Sequence, residues 1–468
     1  MLEGLEISEI NKNLLERTLR IDSEFYSKEN LQVVEKLKSF SLNNISELVK
    51  VSDGNHMSIS ENFSDVGVPY YRGQDIHKYF IEDSSPTFID ETTFHKPIMK
   101  RSHLREGDVL LSIVGTIGGV SLVSLNKYAT CSCKLAILRP INTDGFFLSA
   151  FLKSKYGQNQ VKKFTRGAIQ MGLILEDMDQ IMVPKFSLFF QTKIKNIIIE
   201  AREKSSIANR LYSQSENLLL ATLSIKDFTL SKDKVNIKNF KESFLSTGRL
   251  DAEYFQKKYE EILQEIRQHK NNLLGNVVTI EKSIEPGSEA YSSQGIPFIR
   301  VSNLSKYGIT NPEIYLDEEE FCNVIMPTKN TILLSKDGTV GIAYKVTENI
   351  KSITSSAILH LKIKTNEVLP DYLTLVLNSI IVQMQAERDA GGSILQHWKP
   401  SEIAEVEIPI VEMDIQERIS ILVQESFILK KQSEDLLELA KRAVEVAIEE
   451  GEEAGMRLIE EYEINLNL

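Results

Sequence analysis

From Gln191 to Leu223 apolar and small side chains recur at spacings of three and four, through Ile194, Ile198, Ala201, Ala208, Tyr212 and Leu219, and the stretch holds no Gly or Pro. That spacing lays one stripe down a single helix, about 50 Å long at 1.5 Å per residue. A second stretch beginning near Gln416 repeats the pattern, with Ile419, Leu422, Leu429, Leu436, Ala440, Ala443 and Ala447 at heptad-like spacing. Two long helices with narrow apolar stripes are expected to bury them against each other. Between them the periods shorten. Apolar runs at Val109 to Val114 and Leu135 to Leu138, bounded by turn residues, predict strands, and Phe147 to Gln160 and Tyr372 to Glu387 predict helices. Lys226 to Ser246 is polar and weakly periodic, and reads as a connector.

The patterns occur twice and in the same order. Arg20-Ile21-Asp22-Ser23-Glu24-Phe25-Tyr26 matches Arg249-Leu250-Asp251-Ala252-Glu253-Tyr254-Phe255. Val68-Pro69-Tyr70-Tyr71-Arg72 matches Ile296-Pro297-Phe298-Ile299-Arg300. Val109 to Ser112 with Gly115, Thr116 and Gly118 matches Ile332 to Ser335 with Gly338, Thr339 and Gly341. Gly167-Ala168-Ile169 matches Gly392-Ser393-Ile394, Val183-Pro184 matches Ile408-Pro409, and Gln191 matches Gln416. The offset drifts only from 229, between Arg20 and Arg249, to 223, between Ser112 and Ser335. This is an internal duplication whose period is far too long for a solenoid. Each copy is a mixed domain followed by a long helix. The boundaries fall at 1–187 for the first domain, 188–224 for its helix, 225–248 for the connector, 249–412 for the second domain and 413–468 for the second helix and its tail. If a pseudo-two-fold relates the copies, the helices pair antiparallel. The fold class is α+β.

Composition bounds the function. Of 468 residues 42% are apolar and 26% charged, the balance of a soluble globular protein. No apolar run is long enough to span a membrane and no signal-peptide pattern opens the chain, so a cytoplasmic protein is expected. Three cysteines cannot build a disulfide framework, and Cys131-x-Cys133 alone is weak evidence for metal. The net charge of −12 hides its distribution. Glu434 to Glu463 carries eleven acids against three bases, whereas Lys96 to Arg166 carries twelve bases against three acids. A basic zone inside an acidic chain suits a phosphate footprint as well as it suits a solvated surface.

A search for catalytic chemistry comes back empty. There is no P-loop, no G-x-G-x-x-G fingerprint and no Pro-Pro of an amino-methyltransferase loop. The seven histidines do not sit at helical ligand spacing. The repeated Gly-Thr-x-Gly reads as a tight turn after a strand rather than as a phosphate cradle. Side chains suited to bases stand at repeated positions: Arg72 with Gln74, and Arg300 with Asn303, each just after a strand. Arginine suits guanine and an amide suits adenine. Arg166 and Gln170 flank the first Gly loop, and Gln396 and Lys399 follow the second, with Trp398 read as a packing residue. Lys100, Arg101, Lys134 and Lys336 complete the candidate set.

The duplicated R-(I/L)-D-x-E-aromatic segment, the duplicated Ser…Gly-Thr-x-Gly turn, and the repeated Val/Ile-Pro leading to Gln191 and Gln416 resemble the specificity subunit of type I restriction-modification systems. The likeness covers the chain up to about Glu449. It implies two target recognition domains that read the halves of a bipartite double-stranded DNA sequence. Two helices, packed as an antiparallel coiled coil, would separate them. It also implies that chemistry belongs to partners. These are methyltransferase subunits using S-adenosylmethionine, one per copy, and a restriction subunit using ATP and magnesium, while this chain binds no cofactor. The other reading is a duplicated scaffold that binds proteins and never touches DNA. The acidic tail is expected to be solvent-exposed or to meet a basic partner surface.

Overall fold

A computed structural model describes residues 6–12, 15, 20–125, 127–167, 171–225, 231, 233, 235–391 and 396–466. The chain divides into two compact units, Met1–Lys204 with Gln432–Leu468, and Ser205–Lys431. The division cuts through both long helices, Leu188–Thr222 and Met413–Glu450, rather than falling at their ends. Packing explains this. The first unit's core takes in Phe190, Ile194, Ile198 and Ala201 together with Leu436, Ala440, Ala443 and Ala447. The second takes in Tyr212 and Leu219 with Ile419 and Val423.

Both units carry one topology. In the first, Val109–Ser112 lies between Val120–Leu122 and Leu135–Pro140, and the latter pairs on with Val49–Asp53, all antiparallel. In the second, Ile332–Ser335 lies between Ala343–Lys345 and Ile358–Ile363, which pairs on with Val278–Lys282. All four residues of each central strand are buried, so their apolar runs are continuous instead of alternating. A further sheet centres on the Val/Ile-Pro strand. Val68–Tyr71 runs antiparallel to Thr87–Ile89 and parallel to Thr130–Cys131. Ile296–Ile299 runs antiparallel to Tyr315–Leu316 and parallel to Ile353–Thr354.

The repeated motifs are structural fasteners. Arg20 forks Asp22 through two 2.8 Å bonds and lies 4.5 Å from the Phe25 ring. Arg249 forks Asp251 at 2.8 and 2.6 Å and lies 4.4 Å from the Tyr254 ring. Bonding to these guanidiniums holds both aspartates below the ordinary carboxylate value. Buried Gln160 exchanges two hydrogen bonds with the backbone of Met182, at 2.8 and 3.0 Å. Gln385 does the same with Glu407, at 2.8 and 2.9 Å. Gln191 and Gln416 each donate to the carbonyl five residues back, Phe186 and Val411, and so tie the helix start to the loop before it.

The helix seam departs from the sequence expectation in one respect. Along the first helix Ile194, Ile198, Ala201, Ala208, Tyr212 and Leu219 are buried as expected. Along the second, Leu422 and Leu429 are only partly buried, and the seam runs instead through Val423, Ser426 and Ser433. Ser433 Oγ donates to Ala201 O at 2.6 Å in the first unit, where Lys204 Nζ also reaches Gln432 at 3.1 Å. Ser426 Oγ donates to Ala208 O at 2.7 Å in the second, where Lys430 Nζ meets Ser205 at 2.9 Å. In each unit the number rises along one helix as it falls along the other, so each pairing is antiparallel. Serine reads as polar in a sequence pattern, but its small side chain permits close approach, and the carbonyl opposite satisfies its hydroxyl.

The acids of the tail are mostly exposed, as expected, but the segment carrying them also has a buried apolar face. Gly451, at φ +101°, ends the second long helix, and a further helix, Glu452–Leu466, follows. Its Ile459 is fully buried in the first unit's core. A Cβ on Gly455 would meet Ala443 O at 2.8 Å and Phe190 at 3.1 Å, so only glycine lets this helix lie so close. Glu453, Glu460, Glu461 and Glu463 of this helix are exposed, and Glu452 accepts from Ser187 N at 2.9 Å; on the preceding long helix Glu445 accepts from Lys155 N at 2.8 Å. An amphipathic helix bends back here because its apolar face finds the first unit's core.

Ser433→Leu, which forces extra volume into the seam, is expected to destabilise the chain by about 1–3 kcal/mol, and Leu429→Ser by less. Urea midpoints at unchanged m-value measure both.

Candidate functional site

In each unit one loop is clamped at its base and set against the glycine turn. Arg166 and Gly172 form an antiparallel bridge, with bonds of 2.8 and 2.7 Å, and Gly172 bridges on to Val114. In the second unit Gly391 and His397 form the same bridge, and His397 bridges on to Asp337. Of the residues between, 168–170, which include Ala168, Ile169 and the candidate Gln170, and 392–395, which include Gly392, Ser393 and Ile394, lie outside the described residues. The turn itself is structural. Gly118 and Gly341 take φ +91° and +87° and donate back to the serine that ends the strand, at 3.0 and 2.9 Å. Gln158 and Gln383 bond their carbonyls at 3.0 and 2.8 Å, and a Cβ on either glycine would strike that glutamine.

Beside the loop stands the arginine turn. Arg72 and Arg300 each begin a 3-10 turn, and their backbone N–H groups donate to Asp75 at 2.8 Å and Asn303 at 3.0 Å. The equivalence has unequal consequences for the side chains. Asp75 is a carboxylate and holds Arg72 Nε at 3.3 Å. Asn303 carries no charge, and Arg300 is exposed with no ion pair among the described residues. Asn303 gives its side-chain oxygen to the turn. Gln74 is exposed, and the turn packs where Gly73 faces Ser112, Val114 and Lys134.

In the second unit these parts enclose a cleft of about 660 Å³, lined among others by Glu285, Arg300, Ser302, Asp337, Gln396 and His397. Folding thus brings Arg300 and Gln396 onto one surface. Asp337 was not singled out from the sequence, and it organises the wall: it binds His397 Nδ1 on one side and Lys336 Nζ on the other. Lys336 is 3% exposed and points into this pair instead of toward solvent. Trp398 is fully buried and donates its backbone N–H to Lys336 O at 2.8 Å, the packing role expected of it. Lys399 is exposed and pairs with Glu402 at 3.0 Å.

The basic zone of the first unit is less free than its composition suggests. Arg166 meets the buried Asp177 through two contacts of 2.6 Å, and Arg101 is bound to Asp53. Arg139 forks buried Asp108 at 2.8 and 2.7 Å. Lys153 lies over the Tyr79 ring, and burial holds its pKa down to about 8. Lys100, Arg105, Lys127, Lys134 and Lys162 remain exposed. Among them an aromatic patch escaped the sequence reading. His103 stacks on Phe94 at 3.9 Å, and Tyr128, 64% exposed, packs on Phe94 and His95. Only the nearness of Tyr128 to Lys127 in the chain could have hinted at it.

Among the described residues no group of three or more His, Cys, Asp or Glu is arranged to hold a metal ion, and no helix is long and apolar enough to cross a membrane. The cleft offers hydrogen-bonding groups of both signs, suited to recognition by contact.

Residues 268–438 match the family of the type I restriction modification DNA specificity domain. No curated protein matches the chain by sequence. The S subunit of a type I restriction-modification system from M. genitalium aligns with 86% of this chain and 94% of its own, at 14% identity and a TM-score of 0.42. The HsdS subunit from Thermoanaerobacter tengcongensis aligns with 88% and 97%, at 16% identity and a TM-score of 0.29.

Two outcomes check the placement of these side chains. Arg166→Ala strands the Asp177 carboxylate and is expected to cost about 1–3 kcal/mol of stability, while Arg300→Ala stays within about 0.5 kcal/mol of the parent. Chemical denaturation compares them. Behind the cleft, His360 is fully buried, its Nε2 is 2.8 Å from Thr354 Oγ1, and burial lowers its pKa from 6.5 to about 4. The unfolded chain therefore binds the proton first as pH falls below 6.5, and folded stability declines from there down through pH 4. Going from pH 7.5 to 5 is expected to remove about 2 kcal/mol that a His360→Gln variant does not lose.

Proposed function

We infer that the whole chain is a specificity subunit of a type I restriction-modification system: its second copy belongs to the DNA specificity family of those systems, and its first copy repeats the same elements in the same order. The observation that carries the reading is the doubled site, a clamped loop beside an arginine turn, built on domains in which the sequence places no catalytic set. Each recognition domain reads one half of a bipartite DNA target. In the second, Arg300 and Gln396 share the cleft and supply donors suited to guanine and adenine edges. In the first, Gln74 is open to bases, and Lys100 and Lys134 are placed for phosphates. The two sets of side chains differ, so the two half-sequences differ and the target is asymmetric.

The helices act as the spacer between half-sites. What supports this is the antiparallel register found in each unit, with Ala201 on Ser433 and Ala208 on Ser426. Catalysis is left to partners. Each copy recruits one methyltransferase subunit, which uses S-adenosylmethionine, and a restriction subunit joins with ATP and magnesium. The site of action is the cytoplasm, where the free thiols of Cys131, Cys133 and Cys322 persist.

The chain purified with its methyltransferase partner is expected to shift duplex DNA with an affinity that falls steeply with salt. A gel shift showing no salt-dependent binding overturns the reading. A heptad inserted beside Ala208, with its match beside Ser426, adds about 10 Å of helix. It is expected to lengthen the unread gap by about three base pairs, or to abolish binding, with both half-sequence preferences intact. Selection from a randomised duplex pool reads the result, and changed bases at an unchanged gap would refute the spacer.

A further inference from the structure

The two copies share a Lys-Tyr step that the reading of the sites leaves unused: Lys78-Tyr79 and Lys306-Tyr307, at the same offset as Arg72 and Arg300. In the second unit this step forms the tip of a hairpin in which Leu304 pairs with Ile309 and Ser305 with Gly308. Ser305 Oγ donates to Gly308 O at 3.0 Å and closes the turn. The hairpin carries Tyr307 to both long helices. Its ring stands edge-on to Tyr212 of the first helix and to Phe427 of the second, with centroids 5.7 Å away in each case. Tyr212 and Phe427 lie nearly parallel to each other at 6.3 Å. Lys306 Nζ sits 4.0 Å from the Tyr212 ring centroid, Lys430 Nζ sits 5.6 Å from that of Tyr307, and Tyr307 Oη reaches Asn209 Oδ1 at 3.4 Å.

The first unit uses the same step differently. Tyr79 turns inward to Ser149 at 3.0 Å, under Lys153. Its recognition domain is gripped from the helix instead. Arg202 donates to Ser124 O at 2.5 Å and lies 3.4 Å from Glu82 and 3.7 Å from Glu106. Arg202 and Phe427 occupy the same place in the two copies, separated by the offset that relates Gln191 to Gln416. One helix position thus holds a recognition domain by charge in one unit and by aromatic packing in the other.

We propose that the Leu304–Ile309 hairpin is a latch that fixes the heading of the second recognition domain on its helices, with Tyr307 and Phe427 as positioning residues for reading the second half-site. The proposal rests on the DNA-reading function given above. Tyr307 acts through the domain that carries Arg300 and Gln396, and touches no base itself. With the latch closed, the distance from helix to cleft is fixed, so the complex tolerates one gap length. With it open, the domain swings and neighbouring gaps become acceptable, while the cleft still prefers the same bases. The first unit's grip, being ionic and partly exposed, loosens with salt, and the aromatic one does not.

The test uses the full chain with its methyltransferase partner, as Tyr307→Ala, Phe427→Ala and Tyr307→Phe. Two aromatic edges at the usual strength of such pairs correspond to about tenfold. Tyr307→Ala and Phe427→Ala are therefore expected to lose about tenfold in discrimination between the native gap and gaps one base pair longer or shorter. Base preference in both halves is retained. Tyr307→Phe, which keeps both ring contacts, behaves as the parent. Hydrogen exchange without DNA gives a second reading: the alanine variants speed exchange in 304–309, and Tyr307→Phe does not. Unchanged gap discrimination in Tyr307→Ala, or a loss accompanied by altered bases in the second half, overturns the latch. If the parent complex shows no sequence-selective binding, the DNA reading fails, and hydrogen exchange alone decides the latch: unchanged exchange in Tyr307→Ala rejects it.

Discussion

Two serine hydroxyls facing two carbonyls govern how this chain can fold. Ser433 and Ser426 stand one heptad apart on the second long helix, and Ala201 and Ala208 stand one heptad apart on the first. Small side chains let the backbones approach, and a hydroxyl in a dry seam must find an acceptor or lose the free energy of its hydration. Each finds one in the observed register. A slip of one residue would turn the serines off the carbonyls and swing the partly exposed Leu422 and Leu429 into a space sized for serine. These bonds favour the antiparallel register seen in each unit over a slip of one residue, and each recognition domain closes its core over a segment of both helices.

On that base the duplication separates framework from variable chemistry. The fasteners recur atom for atom in kind: arginine forked by aspartate beside an aromatic ring, glutamine exchanging two bonds with a strand, a glutamine lock on the glycine turn, a loop clamped at its base. What diverges is whatever faces outward from those fasteners. Asp75 in one turn is Asn303 in the other, and that exchange releases Arg300 where Arg72 is held. Phe427 in one grip is Arg202 in the other. A duplicated scaffold of this kind can alter its contacts without disturbing its hydrogen-bond frame, because the side chains that build the frame are the ones that recur in both copies while the divergent ones lie outside it.

Electrostatics follow the same division. Part of the excess of bases between Lys96 and Arg166 is held by internal partners, with Arg101 on Asp53, Arg139 on Asp108 and Arg166 on Asp177, while Lys100, Arg105, Lys127, Lys134 and Lys162 stay exposed. Of the acids of the C-terminal stretch, Glu449, Glu452 and Glu463 meet Lys155, Ser187 and Lys193, while Glu453, Glu460 and Glu461 are exposed. Local charge density along a sequence therefore overstates the field a partner meets, since a paired charge projects little beyond a Debye length.

The sequence by itself determined the duplication, the long helices, the strand-turn pattern and the place of the arginine turns. All of these depend on spacing, and spacing is what a chain carries unaltered into its fold. It also located the stripe of the first helix, from Ile194 to Leu219, because its apolar residues recur at helical spacing, though it did not mark Ser205 and Ser215, which are buried along the same helix. Only the tertiary structure decided the rest. It moved the second stripe onto serines, because the polarity of a hydroxyl depends on the carbonyl opposite. It folded the acidic tail back through Ile459 and Gly455, because one apolar face outweighs the charge of the others once a core is near. It enclosed Lys336 with Asp337 and left Arg300 open, although both are single cations beside a repeated turn. Whether a charge is free is set by what lies within about 4 Å of it, and those neighbours come from parts of the chain that only folding brings together.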